Sequence, residues 1–157
     1  METQGGIEQI NKHCCGVASV VFEGLRTNPN LTQEWVLNEF VNEFPSWRKS
    51  PGLLRPCEIL RLLDLIGLTV NDFIATSNID EAVAAVKARS TFARLYWTRY
   101  WEQNDGKVLP TDHVMAVTEL DYGRISLMNP TDGAELVFDE NRHNKCAGTI
   151  LLCFNHH

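Results

Sequence analysis

The chain has 157 residues, of which 44% are hydrophobic and 22% are charged, and its formal net charge is −6. This length predicts one globular domain, because a chain of this size can bury roughly 70% of its unfolded surface without disulfide staples. The acidic balance argues against a dedicated nucleic-acid-binding protein, which would carry a basic patch. The longest apolar or small run, Gly16–Phe22, is much shorter than the roughly 20 residues of a membrane helix, so we expect no membrane span.

The cysteines are odd in number, and the N-terminus has no charged region followed by an apolar one. These features predict a protein without a secretory signal, with free thiols, in a reducing compartment such as the bacterial cytoplasm. The five cysteines are Cys14, Cys15, Cys57, Cys146 and Cys153.

Helices are predicted in the first part of the chain. The first is buried and central, because Gly16–Phe22 is apolar on nearly every side. Pro56 and Gly67 fit the start and end of the third helix, and Asn78 fits the N-cap of the fourth, with Glu81 placed for a capping box. The predicted helices are Cys14–Arg26, Thr32–Phe44, Pro56–Ile66 and Ile79–Ala88.

Strands dominate the rest of the chain after one early strand at Leu68–Ala75. Helices followed by strands predict an α+β fold, with a helical half at about 9–67 and an antiparallel sheet half at about 68–155. A long polar loop is predicted at Tyr100–Asp112, and long loops are often functional. The later predicted strands are Thr91–Thr98, His113–Leu120, Arg124–Asn129, Glu135–Phe138 and Thr149–Asn155.

A predicted hairpin brings a histidine next to an asparagine. If Asp121-Tyr122-Gly123 is a three-residue turn, Leu120 faces Arg124 and Asn129 faces Met115, one diagonal step from His113. One apolar face of the sheet would then end in two polar side chains. A two-residue turn would shift the register by one and send His113 and Asn129 to opposite faces. The pair is either a structural histidine bonded to an amide, or an imidazole that Asn129 orients toward a nucleophile.

Cys15 is the candidate nucleophile, because a cysteine at a helix start lies among unpaired N–H groups and near the positive end of the helix dipole. Gly16 leaves room for a substrate backbone, and Gln9, six residues before Cys15, could offer its amide to an oxyanion. The alternative is that Cys15 is a small buried hydrophobic residue. Together with His113 and Asn129, these residues have the types and chain order of a Cys-His-Asn enzyme.

The segment Gln9–Ser19 resembles the signature of the bacteriocin-processing peptidases, in which a Gln is followed six residues later by the Cys of an Asp-Cys-Gly-x-Ala run. These papain-like domains usually precede peptide-exporting ABC transporters and remove leader peptides after Gly-Gly. Their second signature, a His at the start of a strand and an Asp-Pro about sixteen residues later, is similar to His113–Val117 and Asn129-Pro130. The segment Glu58–Val70 resembles the family's intervening helix, Gly and strand.

The resemblance implies a papain-like fold without a cofactor or metal. In it Cys15 is the nucleophile, His113 the general base and acid, Asn129 the residue that orients His113, and Gln9 a donor of the oxyanion hole. Asn129 stands where the family usually has Asp, and Cys14 replaces the Asp before the nucleophile. A cleft for Gly-Gly would be narrow and walled by large side chains. The candidate substrate-binding residues are Gly16, Trp97, Trp101 and Asp112, with Tyr100 as a further wall residue.

A free-standing domain of this kind would be a leader peptidase, or a toxin or effector domain delivered into a target cell and neutralised by a cognate immunity protein. Three alternatives stay open. The same residues could deamidate glutamine or transfer an acyl group, or the chain could be a catalytically silent binding module. Zinc could also bind His13, Cys14 and Cys15 together with His143 and Cys146, although a paired C-x-x-C motif is missing.

Overall fold

A computed structural model describes residues 6–9, 14–45 and 56–155, and these residues form an α+β fold with N-terminal helices and a C-terminal antiparallel sheet. The helices of this part of the chain are α1 (Cys15–Gly24), α2 (Gln33–Glu43), α3 (Pro56–Leu65), α4 (Ile79–Ala88) and α5 (Glu140–Lys145). The strands are β1 (Asp72–Thr76), β2 (Ala93–Glu102), β3 (Val108–Asp121), β4 (Arg124–Asn129), β5 (Ala134–Asp139) and β6 (Thr149–Phe154).

The sheet has the strand order β1-β6-β2-β3-β4-β5, and every neighbouring pair is antiparallel. One face packs against α1, α2 and α3, and we call its buried residues the first core. The other face packs against α4 and α5 and forms the second core. The first core includes Cys15, Val17, Phe40, Leu62, Leu95, Trp97 and Val114, and the second includes Ile79, Val83, Tyr96, Met115, Leu127 and Phe138. No helix within the described residues is long and apolar enough to cross a membrane.

The first helix is central, as its apolar sequence predicted, because all ten residues of α1 are buried. Helix α4 has the predicted bounds, and the Asn78 side chain accepts a hydrogen bond from the Glu81 N–H at 2.9 Å. This N-cap satisfies one of the free N–H groups at the helix start. Strand β4 also has the predicted bounds.

The first predicted strand is too long, since Leu68 takes part in the C-terminal cap that follows α3. Its N–H donates to the Leu63 carbonyl at 2.9 Å, and the Gly67 N–H donates to Asp64 at 3.0 Å. Gly67 has a φ of +88°, the left-handed conformation that closes a helix in this manner. The strand therefore starts at Asp72, once this cap is complete.

The predicted loop at Tyr100–Asp112 is wrong. Strands β2 and β3 continue through it as a paired hairpin, with Trp101 opposite Leu109, and they turn between Gln103 and Lys107. Val108 and Leu109 are exposed at this end of the hairpin, so no buried face imposes the alternation by which a strand is recognised in sequence. Helix α5 was not predicted, although Asp139 caps it by accepting from the Arg142 N–H at 2.8 Å.

The predicted three-residue turn is also wrong, but a β-bulge in β3 restores the predicted register at His113 and Asn129. Asp121 pairs with Arg124, so the turn consists of Tyr122 and Gly123. Farther along, Val117 pairs with Leu127 whereas Glu119 pairs with Ser126, which leaves Thr118 as an extra residue in β3. This β-bulge shifts the register by one residue and cancels the shift caused by the shorter turn. His113 and Asn129 therefore lie on the same face.

Gly148 gives a stability prediction, because its surroundings leave no space for a side chain. A Cβ atom there would overlap the Tyr96 hydroxyl and lie 2.6 Å from Nδ1 of His143. Both rings are buried. We expect Gly148→Ala to lower the free energy of unfolding by about 2 kcal/mol, a loss that thermal unfolding measures as a fall of about 6 °C in Tm.

Tyr96→Leu removes both the hydroxyl and the ring carbon Cζ, which would lie 2.2 Å from the new Cβ. The double variant Gly148→Ala/Tyr96→Leu should therefore lose less stability than the sum of the two single variants. A fully additive double variant would show that the overlap at Tyr96 is not the cause.

Candidate functional site

The centre of the candidate site is a hydrogen bond between His113 and Asn129, with 2.8 Å between Nε2 and Oδ1. The Thr131 backbone N–H donates to the same Asn129 oxygen at 3.1 Å. A backbone N–H can only donate, so the atom facing His113 is the amide oxygen and Nε2 carries the proton. In the neutral ring Nδ1 then holds a free electron pair, and this tautomer is the one that a general base requires.

Burial keeps the His113 ring neutral. Desolvation lowers the pKa of His113 below its ordinary value of 6.5, and the hydrogen bond to Asn129 opposes only part of this effect. Trp101 contacts the ring edge-on, with 6.1 Å between the ring centroids and 90° between the planes. At neutral pH the imidazole can therefore accept a proton.

Strand β4 ends at Asn129, and this end leaves a gap beside β3. Because Ala116 pairs with Met128, Val114 would lie opposite Pro130. Proline has no N–H to donate to a neighbouring strand. The Pro130 carbonyl accepts instead from the Gln9 N–H at 2.6 Å, which holds the N-terminal segment against the end of β4. Gln9 therefore reaches the same end of the sheet as His113 and Asn129.

The first turn of α1 occupies this gap. The Ser19 hydroxyl in the next turn of this helix lies 3.1 Å from the Val114 carbonyl, and the Cys15 side chain is mostly buried. Burial raises the pKa of the Cys15 thiol, and the nearby backbone of Val114 and Gly16 opposes part of the rise. The resting site thus pairs a neutral thiol with a neutral imidazole.

Cys15 and His113 approach the sheet from different sides. Cys15 belongs to the first core, whereas His113 pairs with Thr98 and shares the opposite face with Met115. The helix of Cys15 reaches the strand of His113 at Val114, where the Ser19 hydroxyl lies 3.1 Å from the Val114 carbonyl. Among the described residues, no hydrogen bond joins the Cys15 and His113 side chains.

The other predicted site residues do not all lie beside His113. Trp97 packs into the first core, which also contains Cys15, because alternation along β2 turns its side chain away from His113. Its role as a wall of the substrate cleft stays a prediction. Trp101 is half-buried beside His113, while Asp112 and Tyr100 are exposed. Gly16 is buried in α1, and Cys14 is fully buried before it.

The described residues do not form the zinc site that the sequence left open. Nε2 of His143 lies 2.6 Å from the Ser77 carbonyl and Nδ1 lies 2.7 Å from the Tyr96 hydroxyl, so both ring nitrogens are engaged. Cys146 lies in the second core, across the sheet from Cys14 and Cys15. Within the described residues, no group of three His, Cys, Asp or Glu side chains could hold a metal ion, and His13 lies outside them.

Ser19 and Pro130 contribute to the site but were not predicted. Ser19 Oγ lies 2.8 Å from the Cys15 carbonyl and 3.1 Å from the Val114 carbonyl. A serine four residues after the nucleophile looks like an ordinary helix residue in the sequence. The proline directly after Asn129 was a usable signal, because it marks where a strand loses a hydrogen-bond donor.

The interpretation of the candidate site rests on its geometry. No protein-family model matches the chain, and a search of curated proteins gave no match. A thiol at a helix N-terminus, next to a strand that carries an imidazole of fixed tautomer, has the parts needed for nucleophilic attack and proton transfer.

Proposed function

We propose that the chain is a papain-like cysteine endopeptidase that cuts after a Gly-Gly motif, with Cys15 as nucleophile and His113 as general base and acid. The observation that carries the proposal is the tautomer of His113, which Asn129 and Thr131 fix with the proton on Nε2. A structural histidine needs only satisfied ring nitrogens. Among the described residues, the hydrogen bonds of His113 all involve Nε2, so the electron pair on Nδ1 can accept a proton.

The chemistry follows from the two neutral groups. As the Cys15 sulfur attacks the carbonyl carbon, Nδ1 of His113 takes the thiol proton. The carbonyl oxygen becomes an anion, which the Gln9 side chain and the Cys15 N–H stabilise. The tetrahedral intermediate expels the amine, which receives the proton from His113, and leaves a thioester. Water, deprotonated by His113, then releases the acid and restores the thiol.

This mechanism requires a hydrogen bond between the His113 ring and the Cys15 thiol, and none joins them among the described residues. Catalytic hydrogen bonds are often long or poorly aligned without substrate and shorten when it binds. A Gly-Gly segment has no side chains, so it can lie close to Gly16 at the start of α1. Trp101 and the exposed Tyr100 lie on the hairpin beside His113 and are the candidate wall of the cleft.

The biological role proposed for this activity is processing of a leader peptide or cleavage of a protein in a target cell, where an immunity protein would be the natural inhibitor. Both roles use one site and one reaction. They differ in the protein that presents the Gly-Gly motif.

The test compares wild type, Cys15→Ala and Cys14→Ala on a bacterial lysate and on Gly-Gly peptides, with new N-termini mapped by mass spectrometry. We expect cuts after Gly-Gly with wild type and Cys14→Ala, and none with Cys15→Ala. Activity that survives Cys15→Ala but not Cys14→Ala would overturn the nucleophile assignment. A product of intact length and about 1 Da heavier would indicate glutamine deamidation instead, and no product in any sample would favour a binding module.

A further inference from the structure

Ser19 links the helix of the candidate nucleophile to the strand of the candidate base. Its side chain is fully buried one turn after Cys15. Its Oγ lies 2.8 Å from the Cys15 carbonyl and 3.1 Å from the Val114 carbonyl, 95 positions away in the chain. A helical serine commonly bonds the carbonyl four residues before it. This preference explains the contact with the Cys15 carbonyl but not the contact with the Val114 carbonyl.

The second contact exists because Val114 lacks a strand partner on one side. In an antiparallel strand, the N–H and C=O of one residue point toward the same neighbour. For Val114 that neighbour would be Pro130, which has no N–H and whose carbonyl is occupied by Gln9. Helix α1 replaces it, because the Ser19 hydroxyl lies within hydrogen-bond distance of the Val114 carbonyl, at 3.1 Å.

This contact of Ser19 is made with Val114, the residue next to His113. A shift of α1 along β3 would move the Cys15 sulfur relative to the imidazole, and the packing of Val17 and Val20 against the first core does not resist such a shift in a directional manner. A hydrogen bond between α1 and β3 resists such a shift, because it weakens steeply as its distance and angle change.

We propose that Ser19 is a positioning residue of the candidate active site: its hydroxyl fixes the first turn of α1 to the strand of His113 and so sets the distance between the Cys15 sulfur and the imidazole. This inference rests on the proposed function, since it assigns a role relative to Cys15 and His113.

The experiment measures alkylation of Cys15 by iodoacetamide between pH 5 and 9, with the modified residue identified by fragmentation mass spectrometry. The exposed Cys57 is the internal reference in every sample. The variants are Ser19→Ala, Ser19→Thr, which keeps the hydroxyl, and His113→Ala. Ser126→Ala is the matched control, because Ser126 is a buried serine of β4, outside both α1 and the strand of His113. Thermal unfolding is measured for each variant.

We expect Ser19→Ala to lower the ratio of Cys15 to Cys57 alkylation by about tenfold or more, because small displacements of reacting groups have large effects on rate. Its pH profile should approach that of His113→Ala, while Ser19→Thr recovers part of the ratio and Ser126→Ala leaves it unchanged. A merely structural role would lower Tm without changing the pH profile.

The outcomes separate the two proposals. If His113→Ala itself leaves the Cys15 profile unchanged, the proposed function fails. If His113→Ala changes the profile but a folded Ser19→Ala does not, the positioning role alone is wrong. If Ser19→Ala does not fold, a wild-type profile in Ser19→Thr supports the role of the hydroxyl, whereas a Ser19→Thr that folds and has the His113→Ala profile contradicts it.

Discussion

Replacing Asn129 by alanine is expected to lower turnover of a Gly-Gly substrate by roughly a thousandfold. The reason is the tautomer. Asn129 Oδ1 accepts from Nε2 of His113, and without it the ring loses the interaction that keeps the proton on Nε2. It also loses its fixed orientation, because Trp101 contacts it only through a ring edge. The measurement is kcat on the substrate that the lysate experiment identifies, with the fold checked by circular dichroism.

Asn129→Asp is the informative partner of this variant. A carboxylate still accepts from both His113 and Thr131, so most of the turnover should remain. Its negative charge stabilises the imidazolium, which raises the pKa of His113 and moves the acidic limb of the activity profile to higher pH. An Asn129→Ala variant with wild-type turnover, or an Asp variant as inactive as the Ala variant, would contradict the orienting role.

The stability of the protein is expected to fall as the pH rises from about 4.5 to above 7, because of Glu23. Its side chain is fully buried on α1, with Arg26 as an ion-pair partner at 3.6 Å. Burial raises the pKa of the carboxyl from its ordinary 4.5 to about 7, although Arg26 and Arg94 oppose the rise. In this pH range the folded state binds more protons than the unfolded state, so deprotonation favours unfolding by about 3 kcal/mol in total.

Glu23→Gln removes the titration while keeping the shape of the side chain. We expect it to flatten the pH dependence and to stabilise the protein most at pH 8, measured by urea unfolding at pH 5 and at pH 8. Glu135→Gln is the control, because Glu135 is exposed on the edge strand β5 and should leave the dependence unchanged. Equal stabilisation by Glu23→Gln at both pH values would show that the carboxyl does not titrate in this window.

Local sequence patterns were sufficient to predict an element whose formation depends only on its own residues. The apolar run Gly16–Phe22 required a buried helix, since no surface helix lacks a polar face, and α1 is buried throughout. Asn78 determined the start of α4, because a cap depends only on residues within one turn. The neighbourhood of His113 and Asn129 was also predicted, but from a turn that is one residue too long. A bulge at Thr118 corrects that turn, and no residue type marks a bulge in the sequence.

The sequence by itself determined the α+β order, the buried first helix and the residues that could carry a Cys-His-Asn site. Only the tertiary structure decided which of them meet. Trp97 entered the first core and Trp101 came to lie beside His113, because strand alternation and not residue type assigns a face. The Tyr100–Asp112 segment became a hairpin through pairing with a strand, which hydrophobicity does not encode at an exposed edge. The contact of α1 with Val114 arose because Pro130 leaves a strand without its donor, so a gap in the sheet, visible only in three dimensions, places Cys15 next to the strand of His113.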